Sequence, residues 1–415
     1  MKYPKWMLAA AFAVLTGVFY VLYLTVHPLR MSLFMFLSTI SLALLVATIA
    51  IWFRKAALAV VIPLSIALFV VGWWLMSLRF MATPDLRTSP ELTRQPGDPG
   101  KDHTAVVYFT HGEPETYNPI GWVNQFREFD EQGIPFVPLL VRPLFAHSLR
   151  KHYLIVGRSN HRFMHHQMIK ALEQRHREEG DSTTQFYLSF LDDSPTPEAA
   201  AIMALNDGCS RMVVSEVFLT ISNHTAEGES QIKELDIEER FDVPVRFTGP
   251  LYDSETLKRM FVERANANLA GVDKAEVGIL LVGHGQPDEW DEEWPTETEQ
   301  EIGFRESVLD RLVEDGFRRE NVSLAWMEFK EPHPAPKVEE FVAGGVERVL
   351  YFSAAISADA MHSQYDVPAL VEQADVPEDI ELVNLGAWND DPLVIQAIKE
   401  KIEAELQPSP GASSE

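Results

Sequence analysis

The sequence predicts an α/β protein of two related lobes, each a parallel sheet flanked by helices, preceded by three transmembrane helices. Three observations predict it: three long apolar runs near the N-terminus, an alternation of short apolar strands with helical patterns after residue 104, and a repeat of that alternation in the second half.

Met7–Val26, Ser32–Phe53 and Ala57–Leu78 are each apolar for about twenty residues, enough to cross a hydrocarbon core as helix. The first run follows a short basic start, as a cleaved signal peptide would, but its length and the two runs close behind it favour an anchor over residues 1–80. Charge does not orient the anchor: Lys2, Lys5, Arg54 and Lys55 mark one side, and Arg30, Arg79, Arg87 and Arg94 the other. Residues 81–102 carry Thr-Pro, Ser-Pro and Pro-Gly-Asp-Pro-Gly with little apolar content and are expected to form a flexible linker.

The N-terminal lobe is assigned to residues 103–265. Its strands are Ala105–Thr110, Phe186–Leu191 and Arg211–Leu219, with a helix over Pro197–Asn206. The C-terminal lobe, residues 266–407, reads strands at Val277–Gly283, Ser323–Phe329, Arg348–Ser353 and Leu382–Leu385, with helices at Lys337–Ala343 and from Pro392; residues 408–415 read as a disordered tail. Laying one half on the other without gaps places Pro195 on Pro332, Pro197 on Pro334, Gly208 on Gly345 and Arg211 on Arg348. The lobe starts match as well: VVYFTHGEPE and ILLVGHGQPDE both run from an apolar strand into His-Gly, one residue, Pro and an acid. Ligands of open α/β sheets bind beyond the carboxyl ends of the strands, which is where His111 and His284 fall.

Sixty-one Asp and Glu against 35 Lys and Arg give a net charge of −26, which repels nucleic acid. The single cysteine, Cys209, excludes an intrachain disulfide and cysteine-rich metal centres, so a metal must be held by His and carboxylates. No GxxxxGK[ST] phosphate loop is present, which argues against nucleotide-driven chemistry.

The C-terminal lobe places His284, Glu328 and His362 at or just beyond strand ends. Two imidazoles and a carboxylate suit a borderline divalent ion, and each can accept a proton. His111 and His224, with Glu227 and Glu229 nearby, form a possible second site, although His224 falls one residue short of His362 in the gapless overlay. His161, His165 and His166 lie in a helical pattern and are expected on a solvated face. The acidic run from Asp288 to Glu301 reads as solvated surface or a cation-gathering mouth, with Trp290 and Trp294 packing the loop or covering a flat ligand.

These segments resemble the ferrochelatases. LVGHGQPDE resembles the family's strand ending in a catalytic His, AWNDDPLVIQAI its Asn-Asp-x-Pro helix start, HYLIVGRSN its Tyr, Ile-Gly, Ser segment, and DSPTPEAAAIMALNDGCSRMVV its helix-then-strand passage. AMHSQYDVPALVE is closer to the sirohydrochlorin chelatases, in which a His followed by Asp-x-Pro supplies the second metal-binding His. The resemblance spans about residues 105–402 and implies ATP-independent insertion of a divalent metal, Fe2+ foremost, into a porphyrin, with no cofactor. His284 and His362 would then hold the metal and Glu328 would accept protons. It also implies a cytoplasmic soluble part on a cell inner membrane.

Two features depart from the ferrochelatase pattern. Gln364 stands where that family has Glu two residues after the second-site His, and THGEPE replaces an Asn-Leu-Gly-Thr-Pro type turn, which leaves the active lobe open. Two other readings stay open: a chelatase for sirohydrochlorin or a related ring with Fe, Co or Ni, and a non-catalytic haem- or metal-binding protein.

Overall fold

The computed structural model describes residues 5–131 and 137–407. They form two compact units, residues 5–86 with 116–158, and residues 87–115 with 159–407.

In the first unit α1 (Lys5–Thr25), α2 (Pro28–Trp52) and α3 (Lys55–Met81) are each long and apolar enough to cross a membrane, with mean hydropathy of 2.2, 2.4 and 2.4. α1 packs along both others. Its backbone touches that of α3: a Cβ on Gly17 would lie 2.3 Å from the Phe69 carbonyl oxygen, and one on Gly72 2.2 Å from that of Val14. Only glycine permits this approach, the usual means of close helix packing in lipid.

α4 (Pro119–Glu131) and α5 (Arg142–Val156) complete this unit. Carbonyls at the ends of helices lack intrahelical partners, and this segment supplies them. The buried Arg150 donates to the carbonyls of Tyr23 at 2.7 Å and Val26 at 2.9 Å, Tyr117 Oη donates to Thr25 at 3.2 Å, and Arg127 donates to Met81 at 2.7 Å. Sequence reading placed residues 116–158 in the N-terminal lobe; the structure groups them with the three apolar helices.

The second unit opens with residues 87–102, part of the expected flexible linker over 81–102. They form neither helix nor strand but are fastened down: Arg94 donates to the Cys209 carbonyl at 2.6 Å, and the Thr93 amide to Asn206 Oδ1 at 2.7 Å. The first lobe runs β1 (Thr104–Thr110), α6 (His161–Glu178), β2 (Thr184–Phe190), α7 (Pro197–Asn206), β3 (Arg211–Glu216), α8 (Asn223–Lys233), α9 (Ile237–Phe241), β4 (Val245–Phe247) and α10 (Glu255–Ala267). The second runs β5 (Val277–Gly283), α11 (Asp288–Glu293), α12 (Pro295–Glu314), β6 (Val322–Trp326), α13 (Pro334–Ala343), β7 (Arg348–Ser353), α14 (Val367–Val371), β8 (Glu381–Asn384) and α15 (Pro392–Leu406).

Each lobe has a four-stranded parallel sheet, in the order β2-β1-β3-β4 and β6-β5-β7-β8, so the duplicated sequence pattern is a duplicated topology. The central strands β1 and β5 are buried along their whole length, as expected of apolar runs covered on both faces. One core joins the two sheets: Val106 and Tyr108 of β1 share it with Ile279 and Leu281 of β5, through Phe261 of α10 and Ile398 of α15. Burying a side chain such as Phe261 contributes about 2–3 kcal/mol. Residues 408–415, read as a tail, lie outside the described residues.

Candidate functional site

In each sheet the chain leaves the central strand in one direction and returns to the other side, so the topological switch point lies between β1 and β3, and between β5 and β7. Loops diverge there and leave a crevice beyond the strand ends. His111 follows β1 and His224 opens α8 after β3; His284 follows β5 and His362 opens a wide helical turn after β7. Both pairs meet. The ring centroids of His284 and His362 are 5.2 Å apart at 77°, and those of His111 and His224 are 4.8 Å apart at 66°.

His284 is placed by what surrounds its backbone. Its N–H donates to Glu301 Oε1 at 2.7 Å, and Glu301 faces the guanidinium of Arg305 at 3.9 Å. Arg305 is fully buried, donates to the Ala325 carbonyl at 2.6 Å and lies 3.9 Å from the Trp326 ring centroid. The carboxylate comes so near that a Cβ on Gly283 would lie 2.2 Å from it. Gly285 turns the chain at φ 83°, where a Cβ would meet the Glu328 carbonyl oxygen at 2.3 Å.

His284 Nδ1 lies 2.6 Å from the Gly285 carbonyl oxygen. A carbonyl only accepts, so Nδ1 carries the proton and the Nε2 lone pair is free for a metal. His362 repeats the arrangement with Nδ1 2.8 Å from Asp366 Oδ2, one helical turn on. Carboxylate-oriented imidazoles are the usual support for metal-binding histidines.

The pair is electrostatically unequal. Burial, then the charge of His362, lowers the pKa of His284. Burial alone would lower His362 as well, but the hydrogen bond and charge of Asp366, with Glu328 and Glu113, raise it to about 9. Glu328 acts on both rings through charge. β6 stops at Trp326, earlier than the sequence suggested, because the chain turns at Phe329 with φ 61°; Glu328 lies in that turn, its N–H donated to the His284 carbonyl at 3.1 Å.

The first-lobe pair is built from similar parts. His111 Nδ1 lies 2.8 Å from Asp192 Oδ2. Burial, then the charge of His111, lowers His224 to about 3, and its Nδ1 is buried with no hydrogen-bond partner among the described residues. Trp290 covers it edge-on with centroids 6.1 Å apart, so this tryptophan does more than pack its own loop. Glu227 is raised by burial and then by Asp192; Glu229 turns away, paired with Lys233.

Other expectations change. His161 and His165 are buried, 4% and 0% exposed, because α6 turns their shared face onto the sheet. His165 Nδ1 lies 2.9 Å from Tyr108 Oη, and burial lowers its pKa to about 3. Within the acidic run Glu289, Glu292 and Glu293 are exposed, whereas Glu301 is buried and Glu297 is raised to about 8 by burial, then by Glu301 and Asp291. Asp192, Glu113, Glu301 and the supporting role of Asp366 were missed; the four-residue spacing from His362 to Asp366 was the one visible signal.

The family model for ferrochelatase matches residues 103–406. No curated protein sequence matches the chain. Among solved structures, SirB from Bacillus subtilis with Fe3+ is similar at 13% identity and a TM-score of 0.45, over 74% of this chain and 98% of its own. DR2241 from Deinococcus radiodurans, described as multi-domain with structural similarity to chelatases, is similar at 14% identity and a TM-score of 0.48, over 74% of this chain and 56% of its own. CbiX, described as the terminal enzyme of sirohaem biosynthesis in denitrifying bacteria, is similar at 13% identity and a TM-score of 0.39, over 74% of this chain and 100% of its own.

Proposed function

The chain belongs to the ferrochelatase family, and on that premise we propose that it inserts a divalent metal, Fe2+ in the cell, into a porphyrin held at a membrane. The observation that carries this reading is the pair His284 and His362, each with Nδ1 committed to an oxygen, so that an incoming ion would bind at Nε2, on His362 in exchange for a proton.

Metallation exchanges M2+ for two pyrrole N–H protons. The site must therefore hold the ion weakly and take up protons in turn. Two imidazoles hold a borderline ion without the grip of a full ligand set. Glu328, which acts on both rings, is the proton acceptor in this reading, and neither ATP nor a resident cofactor is required.

Two cations among the described residues are committed to carboxylates, Arg162 to Asp193 at 2.6 Å and Lys330 to Asp288 at 3.3 Å and to Asp291. That favours a ring with few carboxylates over sirohydrochlorin, which would need free Arg and Lys around it. The pair His111 and His224 supports a second reading, in which the first lobe holds the metal.

The three apolar helices suit a greasy substrate and product. In this reading they lie in a cell inner membrane with the lobes in the cytoplasm, where reduced iron and tetrapyrrole precursors are held. Detergent-purified protein incubated with Fe2+, Co2+ or Zn2+ and a panel of porphyrins and sirohydrochlorin tests the ring and metal by absorbance. Turnover confined to sirohydrochlorin would refute the porphyrin assignment. A reporter fused after Glu415 tests topology, and activity of a periplasm-only reporter would refute the cytoplasmic one.

A further inference from the structure

The turn that carries His362 is not held by its own lobe alone. Both carboxylate oxygens of Glu113, two residues after His111 in the first lobe, accept the N–H of Met361, at 3.2 and 3.0 Å. Glu113 is itself held by the Ser159 hydroxyl, which also accepts the His161 N–H at 3.2 Å. Beside it, the Asn160 N–H donates to Gln364 Oε1 at 2.9 Å. Met361, just before His362, and Gln364, two residues after it, are thus both fastened to the first lobe.

We infer that Glu113 is a positioning residue for His362, a clasp through which the first lobe sets the metal geometry of the second. This deepens the proposed function and rests on it for the role of His362. Geometry makes the case. Within the second lobe the turn is held mainly by short-range bonds, Gln364 N–H to the Ala360 carbonyl at 2.8 Å and the Ser363 hydroxyl to Asp359 Oδ1 at 3.1 Å. Those bonds shape the turn without placing it against the crevice. Asn384, which donates to the Ser363 carbonyl at 3.1 Å, ties its far side to β8. The Glu113 bond is the tie adjacent to His362 that reaches across the lobes, and it starts from the same strand end that presents His111.

The arrangement also gives Gln364 a role. Its amide oxygen is an acceptor for a backbone N–H of the other lobe, so at this position the chain has an inter-lobe tie. Glu113 meanwhile brings a carboxylate to the Met361 N–H of the same turn.

The test uses the full-length protein in detergent, with Glu113→Ala and Glu113→Gln. Gln keeps a carbonyl oxygen for the Met361 N–H, so it should rescue much of what Ala loses. Two readouts are taken: hydrogen–deuterium exchange of the amides of residues 360–366 without metal, and affinity for Co2+ alone from its visible absorption. Glu113→Ala should speed exchange in that segment, weaken Co2+ binding about tenfold, as loss of a supporting partner of a metal ligand does, and raise the metal KM while leaving the porphyrin KM unchanged. Glu113→Gln should stay within about threefold of wild type on the same basis. Unchanged exchange in Glu113→Ala would overturn the clasp. Faster exchange with unchanged Co2+ affinity would overturn the positioning role. Should His284→Ala/His362→Ala bind Co2+ as tightly as wild type, the metal reading fails instead, and exchange alone then judges the clasp.

Discussion

His362 and Asp366 are joined across one helical turn, Nδ1 to Oδ2 at 2.8 Å, and this bond does two opposing things. It fixes the ring whose centroid lies 5.2 Å from that of His284, and it holds a proton on that ring up to about pH 9 when no metal is bound. A metal arriving at Nε2 must therefore displace a proton.

Metal affinity should accordingly rise with pH, about tenfold per unit while His362 is protonated, and level off near pH 9. In Asp366→Asn the charge that favours the imidazolium is gone, so the levelling-off should move to lower pH. Co2+ titrations at several pH values check this; a pH-independent affinity in wild type would show that the ion displaces no proton from His362.

Gly283 and Glu301 are too close to admit any side chain between them. Gly283→Ala should destabilise the second unit by about 1–3 kcal/mol, as overpacking does, and shift His284 enough to reduce turnover. Glu301→Ala should cost more, about 3–5 kcal/mol, because it leaves the fully buried Arg305 without its charge partner. Thermal melts of both variants check the order; equal melting temperatures for wild type and Glu301→Ala would refute the pairing.

The lobes were legible because repetition is visible without structure: His111 and His284 end equivalent strands, and the sheets share one order of strands. His284 and His362 could be singled out because polar residues at strand ends of an α/β sheet have few other places to point. What was not legible depends on burial. Glu301 sits in a run of carboxylates that looks uniformly solvated, and only α12 packing on the sheet separates it from Glu292 and Glu293. His161 and His165 were misjudged for the converse reason, since a polar helix face reads as solvated until its partners, Tyr108 and Ser357, are seen across it. Glu113 bonds a residue in the other lobe, and no local pattern marks such a contact.

Glu216 gives a pH dependence away from the site. Burial, then the hydrogen bond and charge of Glu229, raise its carboxyl from 4.5 to about 8. The folded state thus keeps a proton that the unfolded chain releases, so stability should fall as pH rises from 4.5 to about 8. Glu216→Gln removes that term. Its melting temperature should match wild type near pH 4.5 and exceed it near pH 8, with a gain of about 1 kcal/mol or more. Parallel melting curves for the two proteins across this range would refute the assignment.

In the proposed reaction the paired imidazoles of His284 and His362 deliver the metal. The direct measurement is Zn2+ insertion into a porphyrin, followed by the shift of the Soret band, for wild type, His284→Ala and His111→Ala in the same detergent. Wild type should insert the ion, His284→Ala should lose at least about a hundredfold, beyond the roughly 10–100-fold that loss of a ligand's supporting partner costs, and His111→Ala should lose far less. Unchanged turnover in His284→Ala, with activity lost in His111→Ala instead, would contradict this assignment and move the reaction to the first lobe.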